Sequence, residues 1–164
     1  MDPNKALDPG LVYDLDTNDY IGFLCSIGYD SSQIAAIVQD RRFDCSTMGL
    51  ASPGDLNYPS FSVVFMASTQ TKTVTHKRVL TNVGKSTNVV YDVKVSSPLS
   101  IEIVVSPSRL VFGPQSQSFS YEVTFSVLSD DTLPEFGWIE WSDGYHKVRS
   151  PVAVSLEEYY DSLM

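Results

Sequence analysis

The sequence predicts a mainly β chain: an antiparallel β-sandwich of seven or so strands, preceded by a short helical hairpin. Three observations predict it. From residue 57 onward apolar and polar residues alternate with period two. The clearest run is Phe119-Ser-Tyr-Glu-Val-Thr-Phe-Ser-Val127, where every odd position is apolar and every even one polar. Before residue 46 the apolar spacing is helical instead. Between the two, residues 46–57 (STMGLASPGDLN) carry Gly49, Pro53, Gly54 and Asp55 with little periodicity, which reads as a linker.

The helical part comes first. Asp16 or Thr17 is placed to cap a helix from about Asn18 to Ile27. Tyr20, Ile21, Leu24, Cys25 and Ile27 give that helix an apolar side, and Gly28 is placed to end it in the left-handed conformation. Asp30 then caps a second helix, with Gln33 in the capping-box position and Ile34, Ile37 and Val38 as its buried stripe. A single tight turn between them makes a helical hairpin.

The strands follow. Phe61, Val63 and Phe65 alternate, as do Val89, Tyr91, Val93 and Val95, with Asp92 and Lys94 facing out. Ile101, Ile103 and Val105 repeat the scheme. One dry face and one wet face per strand indicates antiparallel sheets. Trp138 to Trp141 and Val148 to Val154 flank Ser142-Asp-Gly-Tyr145, and Asp-Gly suits a tight hairpin because both positions tolerate positive φ. Seven or so strands in roughly a hundred residues, with no helical pattern between them, is the spacing of an immunoglobulin or fibronectin-III type of sandwich.

Composition narrows the function classes. Of 164 residues, 43% are hydrophobic and 19% charged, a globular balance that argues against disorder, collagen and coiled coil. The length allows one domain, or one domain plus part of another. Eleven basic against twenty acidic residues give a net charge of −9. Bulk charge therefore excludes binding to nucleic acid or anionic lipid. No apolar run approaches a membrane span, and the opening MDPNKALDPG lacks the form of a signal peptide.

Catalytic residues are sparse. Nucleophilic catalysis needs a base beside the nucleophile. The two histidines, His76 among Thr75, Lys77 and Arg78, and His146 after the Asp-Gly turn, both read as solvent-facing strand residues. No Gly-x-Ser-x-Gly elbow occurs, so no self-contained serine or cysteine hydrolase is expected. Asp14, Asp16 and Asn18 occupy the first, third and fifth positions of a calcium loop. The pattern fails at Asp19, where glycine is needed, and at Cys25, where glutamate is. These acids read instead as a helix N-terminus stabilised by its dipole. Asp130-Asp131 and Glu157-Glu158 read as solvated charge. Trp138 and Trp141, with Tyr145, would line a protein or glycan surface if exposed, and pack the sandwich if buried. Cys25 and Cys45 are open to two readings. A disulfide would clamp the helical hairpin, stabilising by about 3 kcal/mol for a loop of about 20 residues, and two buried thiols fit the spacing equally.

Several stretches taken together carry a family resemblance. ALDPGLVYD (6–14), DYIGFLC (19–25), IGYD (27–30), DLNYPSFSV (55–63), LTNVG (80–84), YDVKV (91–95) and IEWSDGYHKVRSPVAV (139–154) follow one another in order and spacing. They closely resemble the C-terminal region of plant subtilisin-like serine proteases, the subtilases. The resemblance implies that residues 1–45 are the end of a subtilisin-like α/β catalytic domain and 46–56 a linker. Residues 57–156 would be a fibronectin-III-like β-sandwich and 157–164 a tail. It also implies a Cys25–Cys45 disulfide. The parent would be a secreted, apoplastic endopeptidase with an Asp, His, Ser triad, acting on protein substrates.

In the family the triad and the oxyanion Asn lie upstream of the DPGLVYD stretch, and nothing here matches the Gly-Thr-Ser-Met nucleophile motif; Ser46-Thr-Met48 lacks its lead. The expectation is a non-catalytic fragment with no catalytic, metal or cofactor residues. Its partner would be the parent's own catalytic domain. Alternatives are a stand-alone binding module and a pseudoenzyme competing for subtilase partners. Residues 1–45, with the strand Leu11-Val12-Tyr13, would be held loosely because the core they belong to lies elsewhere, while the sandwich folds alone.

Overall fold

The computed structural model describes residues 6–39, 43–66, 72–129 and 134–157. Asp130-Asp131 and Glu158 lie outside these residues. Strand β1 is Leu11–Val12. It is followed by helices α1 (Thr17–Ser26), α2 (Ser31–Ile37) and α3 (Cys45–Met48), and a 3-10 turn at Pro53–Asp55. Eight strands then build the sandwich: β2 (Phe61–Met66), β3 (Thr73–Asn82), β4 (Val89–Ser96), β5 (Ile101–Ser106), β6 (Arg109–Phe112), β7 (Ser118–Val127), β8 (Glu135–Ser142) and β9 (Lys147–Glu157).

The helices start where side chains replace missing backbone partners. Asp16 accepts the amides of Asn18 and Asp19, and Asp19 reaches back to the Asp16 amide, closing a capping box. Asp30 and Gln33 do the same for α2. Gly28, at φ +95°, ends α1. The Gly28 amide donates to Cys25 and that of Tyr29 to Leu24, which is a Schellman closure. The expected stripes are only partly buried. Ile21 and Ile34 are buried, whereas Tyr20, Ile27 and Ile37 are exposed. The two short helices bury one apolar side chain each, with Gly22 of α1 the only other buried position among their residues, because so little packs on them. The Cys25–Cys45 disulfide ties α1 to α3, with Cα atoms 5.2 Å apart. The expected linker is more regular than its composition implies, since it opens in α3 and ends in the 3-10 turn.

One sheet runs β1-β3-β7-β5 and the other β2-β9-β8-β4-β6. The period-two pattern sets which side chains meet between them. Phe61, Val63 and Phe65, Tyr91, Leu110 and Phe112, Tyr121, Val123 and Phe125, and Ile139 and Trp141 interdigitate as one core. Two differences from the expectation stand out. The β2–β9 pair is parallel, from Phe61↔Val152 to Met66↔Glu157, whereas every other strand pair is antiparallel. Alternation fixes the buried face of a strand but not its direction, so sequence pattern is silent on this. The other difference is that β1 pairs with β3, Leu11↔Asn82 and Val12↔Thr81, and Leu11 enters the sandwich core. The N-terminal strand is therefore docked on the sandwich and not left waiting for another core.

The part of the β3 edge that the two-residue β1 leaves unpaired is covered by side chains of the connecting segment. Asn57 donates to the Val79 carbonyl at 3.0 Å and accepts the Val79 amide at 2.7 Å. Asp55 accepts the Lys77 amide at 2.9 Å. These side chains take the place of a neighbouring strand and block edge pairing with another chain.

Candidate functional site

The seam between the N-terminal segment and the sandwich gathers most of the chemistry-bearing side chains, including both histidines. Neither histidine is the freely solvated strand residue that the sequence reading gave. His76 is buried on the inner face of β3. Strand parity puts it in phase with Leu80, and the 3-10 turn closes over it. Gly54 lies so close that a Cβ there would overlap the His76 ring. The Phe125 ring packs on its other side, with centroids 5.8 Å apart. Burial, and then the neighbouring Arg78 charge, push the His76 pKa down, so the ring is held neutral.

Arg78 is the hub of this side of the seam. Its guanidinium donates to the carbonyls of Tyr58 (2.9 Å), Gly54 (2.5 Å), Lys77 (2.7 Å) and Ser60 (3.3 Å). It also stacks over Phe61 with its carbon 4.4 Å from the ring centroid. No carboxylate is needed, because backbone dipoles satisfy the fork-shaped donor. The connecting segment is thereby pinned at three carbonyls outside β3.

At the other side of the seam, His146 closes the β8–β9 hairpin. Asp143 accepts the backbone amides of Tyr145 and His146, and its Oδ2 lies 2.8 Å from His146 Nδ1. An aspartate on Nδ1 is half of a charge-relay arrangement. The other half is missing. Nε2 faces Asp8 Oδ1 at 3.3 Å, without hydrogen-bond alignment, where a nucleophile's hydroxyl would have to stand. The dyad is thus an ion-pair cluster with carboxylates on both ring nitrogens, and its geometry is not that of a general base. The hydrogen bond that the His146 ring donates to Asp143 raises the His146 pKa, burial opposes it, and Asp8 adds to the rise. Burial works to raise the Asp143 pKa, but hydrogen bonds from the His146 ring and the two amides outweigh it and leave it lowered.

A third group joins the two parts. The Tyr13 hydroxyl lies 2.8 Å from that of Tyr121 and 2.7 Å from Ser150 Oγ, a chain linking the N-terminal segment to both sheets. Trp141, fully buried, packs edge-on against Tyr121 with centroids 5.2 Å apart. Trp138 lies on the outer face under Arg149, whose carbon sits 4.4 Å from the ring centroid, and Arg149 is itself bonded to the buried Glu140 at 2.6 Å. Of the three aromatic residues considered for a binding surface, only Tyr145 is largely exposed.

In the acidic run Asp14, Asp16 and Asn18, Asp16 caps α1 as described above, and the Asp14 carbonyl accepts the Asn57 side-chain amide. Among the described residues, no three His, Cys, Asp or Glu side chains are grouped to hold a metal ion. No described helix is long and apolar enough to cross a membrane. The role of Arg78 and of Tyr13 in the seam was missed by sequence reasoning. A signal for Arg78 existed, since it shares strand parity with His76, Leu80 and Asn82.

Comparisons with known proteins agree with this architecture. A family model described as "Fibronectin type-III domain" matches residues 55–154. The chain is 50% identical over 162 residues to Subtilisin-like protease SBT1.4 of Arabidopsis thaliana, covering 94% of this chain and 21% of that protein. It is 41% identical to Subtilisin-like protease SBT1.5 of the same plant, covering 95% and 21%. The chain spans about a fifth of the length of these curated relatives. Among solved structures, a Bacteroides ovatus GH5 xyloglucanase aligns with a TM-score of 0.41 at 12% identity, covering 63% of this chain and 19% of that one. A likeness at that level carries no argument about function.

Proposed function

Since the chain belongs to the fibronectin type-III domain family, we propose that it is the non-catalytic C-terminal module of a secreted subtilisin-like serine endopeptidase. In this reading the module packs on the catalytic domain of its parent, stabilises it and borders the route to its cleft. The similarity to plant subtilisin-like proteases covers 94% of the chain, so it takes in the helical part as well as the sandwich. The observation that carries the reading is the asymmetry of the helical part. On one side, β1, Tyr13 and the segment pinned by Arg78 are fused to the sandwich. Away from these contacts, Tyr20 on α1, Ile27 and Tyr29 in the turn after it, and Ile37 at the end of α2 stand open to solvent. Apolar side chains gathered on so small an element favour a covering partner. A part fused on one face and uncovered on the other suits a wedge between two bodies.

The missing half of the His146 dyad supports the non-catalytic reading. The purified chain is expected to hydrolyse no peptide substrate and to take no label from a serine-directed fluorophosphonate probe; labelling at any serine would refute it. The packing role is tested by exchanging the matching region of SBT1.4 for this chain. The chimera is expected to retain proteolytic activity. Changing Tyr20, Ile27, Tyr29 and Ile37 together to serine should lower the chimera's thermal inactivation temperature while the sandwich still folds. Unchanged inactivation would overturn the packing role. The reading as a free-standing glycan-binding module loses its main support, because Trp141 is buried and Trp138 is covered by Arg149.

A further inference from the structure

Residues 8–12 lie across the end of the sandwich and meet His146 directly. Gly10, at φ +75°, brings its backbone so near that an added Cβ would stand 2.8 Å from the His146 ring and 2.5 Å from the Tyr91 hydroxyl. The Gly10 carbonyl accepts the amides of Val83 and Gly84, at 2.9 and 3.2 Å, which extends the β1–β3 pairing. Asp8 then stands 3.3 Å from His146 Nε2. One side chain of the β8–β9 hairpin therefore touches the N-terminal segment through both a backbone face and a carboxylate.

The ring is enclosed by acids. Asp8 faces it from the N-terminal segment, Asp143 from the hairpin turn, and the Tyr91 hydroxyl from β4 at 3.4 Å from Nδ1. Tyr145 packs edge-on against it with centroids 4.8 Å apart. Lys85, Lys147 and Arg149 border the surrounding hollows, but none of them pairs with Asp8 or Asp143. With a proton on each nitrogen, the ring is a cation held between two carboxylates. Without the second proton, one carboxylate faces a lone pair, and that contact turns from attractive to unfavourable.

We propose that Asp8, His146 and Asp143 form a pH-gated clasp, which fastens the N-terminal segment to the sandwich while His146 is charged and slackens when it is neutral. The clasp stands on this chain alone, whatever the parent protein does. The sign follows from linkage. A histidine whose pKa is raised in the folded state contributes fully below about 6.5, its unfolded value, and loses that contribution as pH rises through its folded value. His76 works the other way, but beneath Gly54 at the far end of β3, where it does not bear on Gly10.

Hydrogen exchange of the Val83 and Gly84 amides tests the clasp, because both donate to Gly10. Exchange is followed by NMR from pH 5 to 8 and corrected for intrinsic rate, with the His146 ring titrated in the same samples. Protection of these two amides is expected to fall severalfold as His146 loses its proton, with the same midpoint, while the Phe125 amide in β7 does not follow that midpoint. In His146→Gln the dependence should vanish, and in Asp8→Asn it should shrink. Protection that is flat across the His146 titration, or an unchanged slope in His146→Gln, would overturn the proposal. Should His146→Gln fail to fold, the coincidence or divergence of the two wild-type midpoints decides.

Discussion

His76 and Arg78 face inward because β3 must keep its parity with Leu80, and each is accommodated by a different device. Arg78 is satisfied by carbonyls, so truncating it leaves several of them buried without a donor. Arg78→Ala is expected to cost on the order of 2–4 kcal/mol in urea unfolding. Arg78→Lys should recover only part of this, since an ammonium cannot reach the same fork of acceptors. His76 is accommodated by staying neutral, its buried Nδ1 finding no hydrogen-bond partner among the described residues. Its lowered pKa means that acid penalises the folded state, beginning as pH falls through about 6.5 and complete below its folded value. His76→Gln is therefore expected to lose less stability than wild type between pH 7 and pH 5. An equal loss in both proteins would refute this. The sequence held the clue to these burials in its phase: Val74, His76, Arg78, Leu80 and Asn82 alternate with outward Thr75, Lys77 and Val79. Polar identity hid it, because ordinary alternation assigns charged residues to the wet face.

Among the elements, helix starts were legible and helix burial was not. Asp16, Asp30 and Gly28 act within four residues of sequence, and local chemistry fixes them. Whether Ile37 is covered depends on what lies across from it, which no local pattern carries. The helical part leans on its disulfide for the same reason. Exchanging Cys25 and Cys45 for serine should remove about 3 kcal/mol from that part through loop entropy. Faster hydrogen exchange in Thr17–Ser26, with β7 unchanged, is the expected sign; equal acceleration in β7 would show that the bond serves the whole chain. At the edge of β3, Asn57→Ala should cost about 1 kcal/mol by leaving the Val79 amide and carbonyl unpaired. The same variant should aggregate faster, as judged by light scattering.

For the whole molecule, the period-two runs made the sandwich readable, including the Asp-Gly hairpin that joins β8 to β9. What they did not show was where the N-terminal segment goes. Leu11-Val12-Tyr13 reads as a strand in either setting, and pairing across about seventy residues, Leu11 with Asn82, leaves no periodic trace. Tyr13→Phe tests how far this docking supports the sandwich. Severing the hydroxyl chain to Tyr121 and Ser150 should cost about 1 kcal/mol and lower the Tm by about 3 °C in a single transition. The parallel β2–β9 pair has a mechanical consequence. The N-terminal end of β2 and the C-terminal end of β9 leave the sheet at opposite ends of two strands that run side by side. Tension drawn lengthwise between those ends slides one strand past the other and loads all of their hydrogen bonds together. The bonds cannot be opened one at a time like a zip, so between Phe61 and Glu157 the sandwich resists pulling best along its own chain.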